Sequence, residues 1–421
     1  MLDESLLDAP ANLARADHRG LLRGAAEAGA LVRTGIRNAS EAGILALRPE
    51  GRPRAVLVAA AGAGPTTVAD LLDALAGSAC PVVRLTPTGV AAAAGALRWN
   101  LPGWAGPVDL LLIVTPDGSE PGLALLAEQA YRRGCTVVAV TPRGAPLTET
   151  VDGARGLAVP MATSNTSYGS TSYGSTSLGP TAYGSESNEP TEPTPYAPDR
   201  DRRTPYEQDA TTPGTLWGLL VPLLLLFDAT GLYTAPADAL QKVADRLDRA
   251  AERCGPAVVT YSNPAKSLAV ELDEALPLIW TEGQAAGPVG RRFAALLAAL
   301  PGRPALAAEL PEALTAHEAL LAAPAGENDS DSHLDDFFRD RVDDASLRPR
   351  AVLLRDRPSG GLSAAPAARE LAHGHAVPIS ELEPQEGSDL EALAELIALT
   401  DFTAAYLSLG AATDKTPDDL P

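Results

Sequence analysis

Val108-Asp109-Leu110-Leu111-Leu112-Ile113-Val114, then Thr115-Pro116-Asp117-Gly118-Ser119-Glu120, then an alanine- and leucine-rich run over residues 122–133, is the stretch that decides the fold. An uninterrupted apolar run bounded by turn residues is the signature of a strand covered on both faces, and such strands belong to parallel sheets flanked by helices. The Pro-Asp-Gly turn marks a strand-to-helix loop. Working outward, the same alternation predicts strands over 55–59, 81–85, 109–114, 136–140 and 156–159, with helices over 67–76 and 122–133. A second turn signal, Gly62-Ala63-Gly64-Pro65, follows the first strand. Ligands of sheets of this kind bind outside the carboxyl ends of the strands, so these two loops are the first places to look for chemistry.

Between residues 162 and 212 the composition changes to Ser, Thr, Gly, Pro, Tyr and Glu, with near-repeats around Tyr168, Tyr173 and Tyr183. Such a segment has too little apolar surface to offset its ordering entropy, which predicts a disordered low-complexity insertion. Beyond it, helices are expected over 215–231 and 235–253. Leu240, Val243, Ala244 and Leu247 lie on one face of the second. Strand signals over 257–261, 278–280, 351–354 and 376–379 then alternate with helices over 265–275, 289–300 and 389–409, giving a second parallel sheet. The organisation expected is an N-terminal helical segment over 1–50, a first lobe over 51–161 and 213–254 interrupted by the insertion, and a second lobe over 255–421. The aspartate-rich stretch 328–344 reads as a solvated loop or a short acidic helix.

With 54 acidic against 33 basic residues the net charge is −21, which repels phosphate polymers and anionic lipid, so neither nucleic acid nor membrane is an expected partner. The apolar run over 216–227 contains Pro222 and is shorter than the roughly 20 residues a span requires. Cys80, Cys135 and Cys254 are widely spaced, which argues against disulfides and metal sites and for buried thiols in a reducing compartment. The first residues lack the basic-then-apolar pattern of a secretory leader, and a cytoplasmic protein is expected. His373 and His375 have no third ligand nearby and read as surface residues.

The strand and loop of residues 108–120, the run Tyr131-Arg132-Arg133-Gly134-Cys135-Thr136-Val137-Val138-Ala139-Val140, and the C-terminal Asp401-Phe402-Thr403-Ala404-Ala405-Tyr406-Leu407 with Asp414 resemble, in order, segments of the SIS-domain bifunctional phosphoglucose/phosphomannose isomerase family. Arg292, Pro304 and Pro311-Glu312 extend the series through both halves. The resemblance implies an α/β protein of two SIS-like lobes that binds a sugar phosphate, needs no cofactor or metal, and forms a homodimer. The activity it implies is aldose–ketose isomerisation, in which a glutamate removes a proton next to a carbonyl and a histidine helps open the ring. On the residues that match, substrate binding falls to Gly62, Gly64, Thr66, Thr115, Gly118, Ser119, Arg292 and Thr403.

Several positions depart from the family pattern. Counted without gaps from Arg292, the catalytic glutamate falls on Ala299, and a methyl group accepts no proton. The candidates left for the chemistry are Glu282 at the end of the Trp280 strand, Glu312, and His317, which stands two places late, a turn of about 200° on a helix. Asp117 replaces a serine of the phosphate loop. Two like charges about 4 Å apart there would cost on the order of 4 kcal/mol at an effective dielectric of 20. With Glu120 it also forms a D-x-x-E helix-capping pattern. The segment Thr260-Tyr261-Ser262-Asn263-Pro264-Ala265-Lys266 offers either an anion site with Lys266 as countercharge or a helix N-cap. Two functions follow: an isomerase of glucose-6-phosphate/mannose-6-phosphate type, or a sugar-phosphate sensor or scaffold that kept the fold and lost the base.

Overall fold

The computed structural model describes residues 2, 4–46, 51–89, 97–163, 212–322, 348–356 and 363–411. Residues 164–211 of the expected insertion, the aspartate-rich stretch 328–344 and Asp414 lie outside the described residues. Four helices, α1 (Glu4–Leu7), α2 (Pro10–Ala16), α3 (Leu21–Ala26) and α4 (Ala28–Glu41), come first. The first lobe follows as β1 (Val56–Ala60), α5 (Ala63–Ala76), β2 (Val82–Leu85), β3 (Leu110–Val114), α6 (Pro121–Arg132), β4 (Thr136–Thr141), α7 (Pro146–Gly153) and β5 (Leu157–Pro160). All its strands are parallel, in the order β2-β1-β3-β4-β5.

Every residue of β1 and β3 is buried, as their unbroken apolar sequence demands. Alternate side chains go to opposite faces of the sheet. Val56, Val58, Leu110 and Leu112 enter a large core shared with the second lobe, whereas Leu57, Ala59, Leu111 and Ile113 enter a smaller one under α6 and α7. Two helices then lead away from this lobe, α8 (Thr215–Ala229) and α9 (Ala237–Cys254). The first carries Pro222 inside it and is buried on every side from Leu216 to Phe227.

The second lobe comprises α10 (Pro264–Leu272), β6 (Ala275–Glu282), α11 (Ala286–Ala299), β7 (Leu306–Glu309), the short α12 (Glu312–Ala316) and α13 (Glu318–Leu321), β8 (Arg348–Arg355), α14 (Ala365–Gly374), β9 (Ile379–Leu382) and α15 (Asp389–Ala411). Its sheet is also all parallel, in the order β7-β6-β8-β9. Each sheet reverses its strand order once, between β1 and β3 and between β6 and β8, and the crevices at those two points are where such folds bind ligands.

The second lobe corrects two strands and adds another: the one expected over 376–379 forms three residues later as β9, because Ala376, at φ +54°, still belongs to the turn after α14. No strand forms over 257–261, where the chain makes a loop and a single 3₁₀ turn, Thr260–Ser262. Its carbonyls are taken elsewhere: that of Val258, with those of Leu7 and Pro256, accepts from the fully buried Lys266 ammonium at 2.6, 2.6 and 2.9 Å, and those of Val259 and Thr260 accept from the Ser262 and Asn263 amides. Carbonyls so engaged are unavailable to a ladder. The added strand is β7, whose Leu-Ala-Ala-Glu sequence has little β propensity and is recruited by pairing with β6.

Helix α15 is long and apolar enough to cross a bilayer, but it is buried inside the protein between α3, α9, α10 and α11. Its buried polar groups find partners. Asp401 accepts from both terminal nitrogens of Arg292 and from the Gly214 amide. Glu395 accepts from Arg246 at 2.7 Å and Arg253 at 2.6 Å, and the Tyr406 hydroxyl donates to the Cys254 carbonyl at 2.6 Å. Asp401→Asn removes the countercharge of a buried guanidinium and is expected to cost about 3–5 kcal/mol, read as a lowered midpoint in urea unfolding. An unchanged midpoint would mean that the pair contributes nothing to the packing of α15.

Candidate functional site

At the carboxyl end of β3 the loop is closed by its own first residue. The Thr115 hydroxyl oxygen accepts from the amides of Asp117 at 3.2 Å and Gly118 at 3.0 Å, which turns the chain sharply towards α6. Gly118 has φ +70° and lies so close to β4 that a Cβ would stand 2.2 Å from Thr141 Oγ1 and 2.6 Å from Ala145 Cβ. Only glycine fits there. Ser119 donates its hydroxyl to Asp117 Oδ2 at 2.5 Å, while Asp117 Oδ1 is buried without a hydrogen-bond partner. The expected cap by Asp117 is corrected: the N-cap of α6 is Glu120, which accepts weakly from the Gly122 amide at 3.5 Å.

Across the crevice β1 ends at Ala60, and α5 begins directly after Gly62, whose φ of +86° turns the chain into the helix. Among the described residues no side chain caps this N-terminus, and a Cβ on Gly62 would meet none of their atoms within 4 Å. Gly64 and Thr66 lie half-buried in the first turn. The structure therefore brings Gly62, Gly64, Thr66, Thr115, Gly118 and Ser119 to one edge, where the strand order reverses. Arg292 and Thr403 are elsewhere. Arg292 pairs with Asp401 inside the core, and the fully buried Thr403 hydroxyl donates to the Leu399 carbonyl of its own helix at 2.8 Å.

The crevice of the second lobe is filled by carboxylates. Glu282, the last residue of β6, accepts from Ser363 Oγ at 2.8 and 2.9 Å, from the Ala364 amide at 2.6 Å, and from Arg355 Nε at 3.1 Å. Burial alone would push this carboxyl up, but the hydrogen bonds from Ser363 and Ala364, with the Arg355 charge, outweigh it and hold the group below the usual carboxylate range. Asp356 accepts from the Ala285 amide at 2.8 Å. Ala364 and Ala285 are the N-cap residues of α14 and α11, so each carboxylate sits where a helix N-terminus would otherwise receive an anion. Sequence reasoning missed Asp356 and Ser363. A serine three places before Pro366, in the first turn of a helix, was the signal that could have found the second.

His317 is buried and accepts the indole N–H of Trp280 on Nδ1 at 3.0 Å. That bond places the imidazole proton on Nε2, and burial lowers the pKa below the usual histidine value. Glu312 is exposed at the start of α12, and Ala299 is exposed in the last turn of α11. Lys266 is no countercharge for an anion, being held by three carbonyls. The N-cap alternative is the one observed, with Asn263 accepting from the Ala265 and Lys266 amides at 3.1 Å. The three cysteines are free and buried, and burial pushes Cys254 up to about 11. Among the described residues no cluster of three His, Cys, Asp or Glu is placed to hold a metal.

Residues 261–419 match the sequence profile of the bacterial phospho-glucose isomerase C-terminal SIS domain. None of the curated proteins matches the chain in sequence. Among solved structures, an inferred phosphosugar isomerase from Silicibacter pomeroyi DSS-3 aligns with a TM-score of 0.55 at 16% identity, over 92% of this chain and 97% of that one. A hypothetical protein from Thermus thermophilus aligns at 0.56 and 14% identity, over 97% and 91%. The C-terminal domain of glucosamine-fructose-6-phosphate aminotransferase from Francisella tularensis aligns at 0.50 and 12%, over 94% and 97%. At these identities the likeness is one of fold, and it spans both lobes.

The His317–Trp280 pair yields a pH dependence of known sign. A histidine kept neutral by burial binds fewer protons folded than unfolded. Its contribution is therefore present above the unfolded pKa and is lost as pH falls through the folded pKa. Stability measured by urea unfolding should decline on acidification below about pH 6.5, with a slope of at most about 1.4 kcal/mol per unit from this group. His317→Gln, which retains an acceptor for Trp280, should flatten that decline. An identical slope in the variant would assign the acid sensitivity to other groups.

Proposed function

We propose, from a second lobe that matches the bacterial phospho-glucose isomerase C-terminal SIS domain, that this chain binds a sugar phosphate in the first-lobe crevice and holds it without isomerising it, as a sensor or scaffold. The phosphate sits on the uncapped N-terminus of α5 at Gly62, where backbone amides and the helix dipole favour an anion and there is open space beside the glycine. The sugar hydroxyls face Ser119 and the half-buried Asp117 carboxylate that accepts from it. This arrangement separates the phosphate from the Asp117 carboxylate. It also gives that carboxylate a use.

The observation that carries the noncatalytic reading is the state of Glu282. A general base needs a free lone pair and a pKa raised towards the operating pH. Glu282 has its oxygens engaged by Ser363, Ala364 and Arg355, and its pKa is lowered. Glu312 is exposed to water and the His317 Nδ1 is taken by Trp280, so neither supplies the missing base in this arrangement. Pairing of two copies into a homodimer, which the resemblance implies, is part of the proposal and would appear as twice the chain mass in sedimentation.

Calorimetric titration with fructose-6-phosphate and mannose-6-phosphate, followed by proton exchange at C2 of the sugar in deuterated buffer, tests this reading. Saturable binding without exchange is expected. Exchange at an enzymatic rate would make the protein an isomerase, and absence of binding to either sugar would remove the sugar-phosphate function altogether.

A further inference from the structure

We infer a second binding site at the opposite, amino-terminal edge of the first sheet, which takes an organic anion with an apolar body. A cavity of about 630 Å³ opens there between the first residues of β3 and β4, the start of β5 and the C-terminal end of α8. That volume falls in the range of small-molecule pockets, roughly 300–1,000 Å³. Pro53, Pro107, Val108, Val137 and Leu226 supply apolar wall, and Arg52 and Arg155 supply charge. It lies at the far end of the strands from Gly62 and Thr115 and is independent of the function proposed above.

Both arginines border the cavity from exposed positions. Arg155 occupies the left-handed position that ends α7, with φ +52°. The Gly156 amide bonds the Val151 carbonyl at 2.9 Å and the Arg155 amide bonds that of Asp152 at 3.0 Å, a Schellman ending in which glycine or asparagine is the favoured residue. A long cationic side chain stands there instead, against the backbone preference. Arg52 borders this cavity and its neighbour, with its guanidinium beside the turn after α8, where a Cβ on Gly231 would be 3.5 Å from its Nε. Neither has a carboxylate partner among the described residues, although acids outnumber bases 54 to 33 in the chain.

The acceptors that would oppose an anion are already engaged. Asp109 borders the cavity, but its carboxylate is held by Arg54 at 2.6 Å and by the Gly106 amide at 2.8 Å. At the end of α8 the Leu226 carbonyl receives the Thr230 amide and hydroxyl at 2.9 and 2.8 Å, and the Phe227 carbonyl receives the Leu232 amide at 2.8 Å. A neighbouring cavity of about 670 Å³ shares Arg52 but sets two acids, Asp228 and Asp389, against that one base, a balance less favourable to an anion. Arg155 borders the cavity under β3 to β5 and not its neighbour.

The probe is 8-anilinonaphthalene-1-sulfonate, an aromatic body with one negative charge, titrated into the full chain and followed by fluorescence and calorimetry. One site per chain is expected, weakened at least tenfold in Arg52→Ala and in Arg155→Asn, the latter chosen because asparagine keeps the left-handed turn. Unchanged thermal midpoints of both variants, and unchanged titration with fructose-6-phosphate, separate this site from the crevice and from unfolding. No saturable binding to the unaltered chain, binding by both variants as tight as that of the unaltered chain, or displacement of the dye by fructose-6-phosphate would each overturn the inference.

Discussion

The burial of α15 on all sides is the constraint on which the rest of the structure depends. A helix of 23 residues with almost no exposed face must satisfy every polar group it carries inside the protein. Its two buried carboxylates, Glu395 and Asp401, each draw a partner from a different part of the chain: Arg246 and Arg253 from α9, and Arg292 from α11. Bringing the Gly214 amide to Asp401 fixes where the chain re-enters the first lobe after residue 211. The ion pairs therefore act as register marks that set the two lobes and the connecting helices against one axis. Non-directional burial of leucines would not specify that.

Lys266 makes the same kind of demand on the N-terminal helices. Its ammonium takes the Leu7 carbonyl from α1 together with two carbonyls of the loop before α10, and it lies 5.5 Å from the centre of the Tyr406 ring. One buried cation thus ties the start of the chain, the start of the second lobe and the closing helix together. The Val258 carbonyl it gathers is one of those whose engagement leaves an apolar run at 257–261 with good strand composition no strand.

Most of the fold was legible because period and punctuation agree. The continuous runs at 110–114 and 136–140, the turn residues after them, and the amphipathic face of 237–254 each point to a single local structure, and the structure has it. Elements with weak local signal were missed or misread. Strand β7 is alanine-rich and owes its form to its neighbour β6, and the strand expected at 257–261 loses its carbonyls to Lys266 and to the turn that follows. The first-lobe loops were legible for the same reason as the strands, since Gly62, Thr115 and Gly118 are turn residues whose placement follows from local geometry. Arg292, Thr403 and Glu282 have side chains whose roles are set by partners 109, 4 and 81 residues away. No reading of spacing would have found the distant two.

The two crevices differ in a way that bears on what each can bind. In the second lobe, carboxylates from the ends of β6 and β8 sit on the N-cap amides of α14 and α11, so a phosphate arriving there would have to displace an ion already bonded in place. Glu282 is further held by the buried Arg355, which it shares with Glu383, so withdrawing it would leave that guanidinium with one carboxylate in place of two. In the first lobe the amides of Asp117 and Gly118 are also spoken for, by Thr115, but α5 opposite them begins at a bare glycine with no capping side chain. Among the described residues no side chain would have to be displaced from that terminus by an external anion. The proposed phosphate site rests on which helix ends the chain has left uncapped, and this asymmetry is the reason the proposal places it in the crevice between β1 and β3.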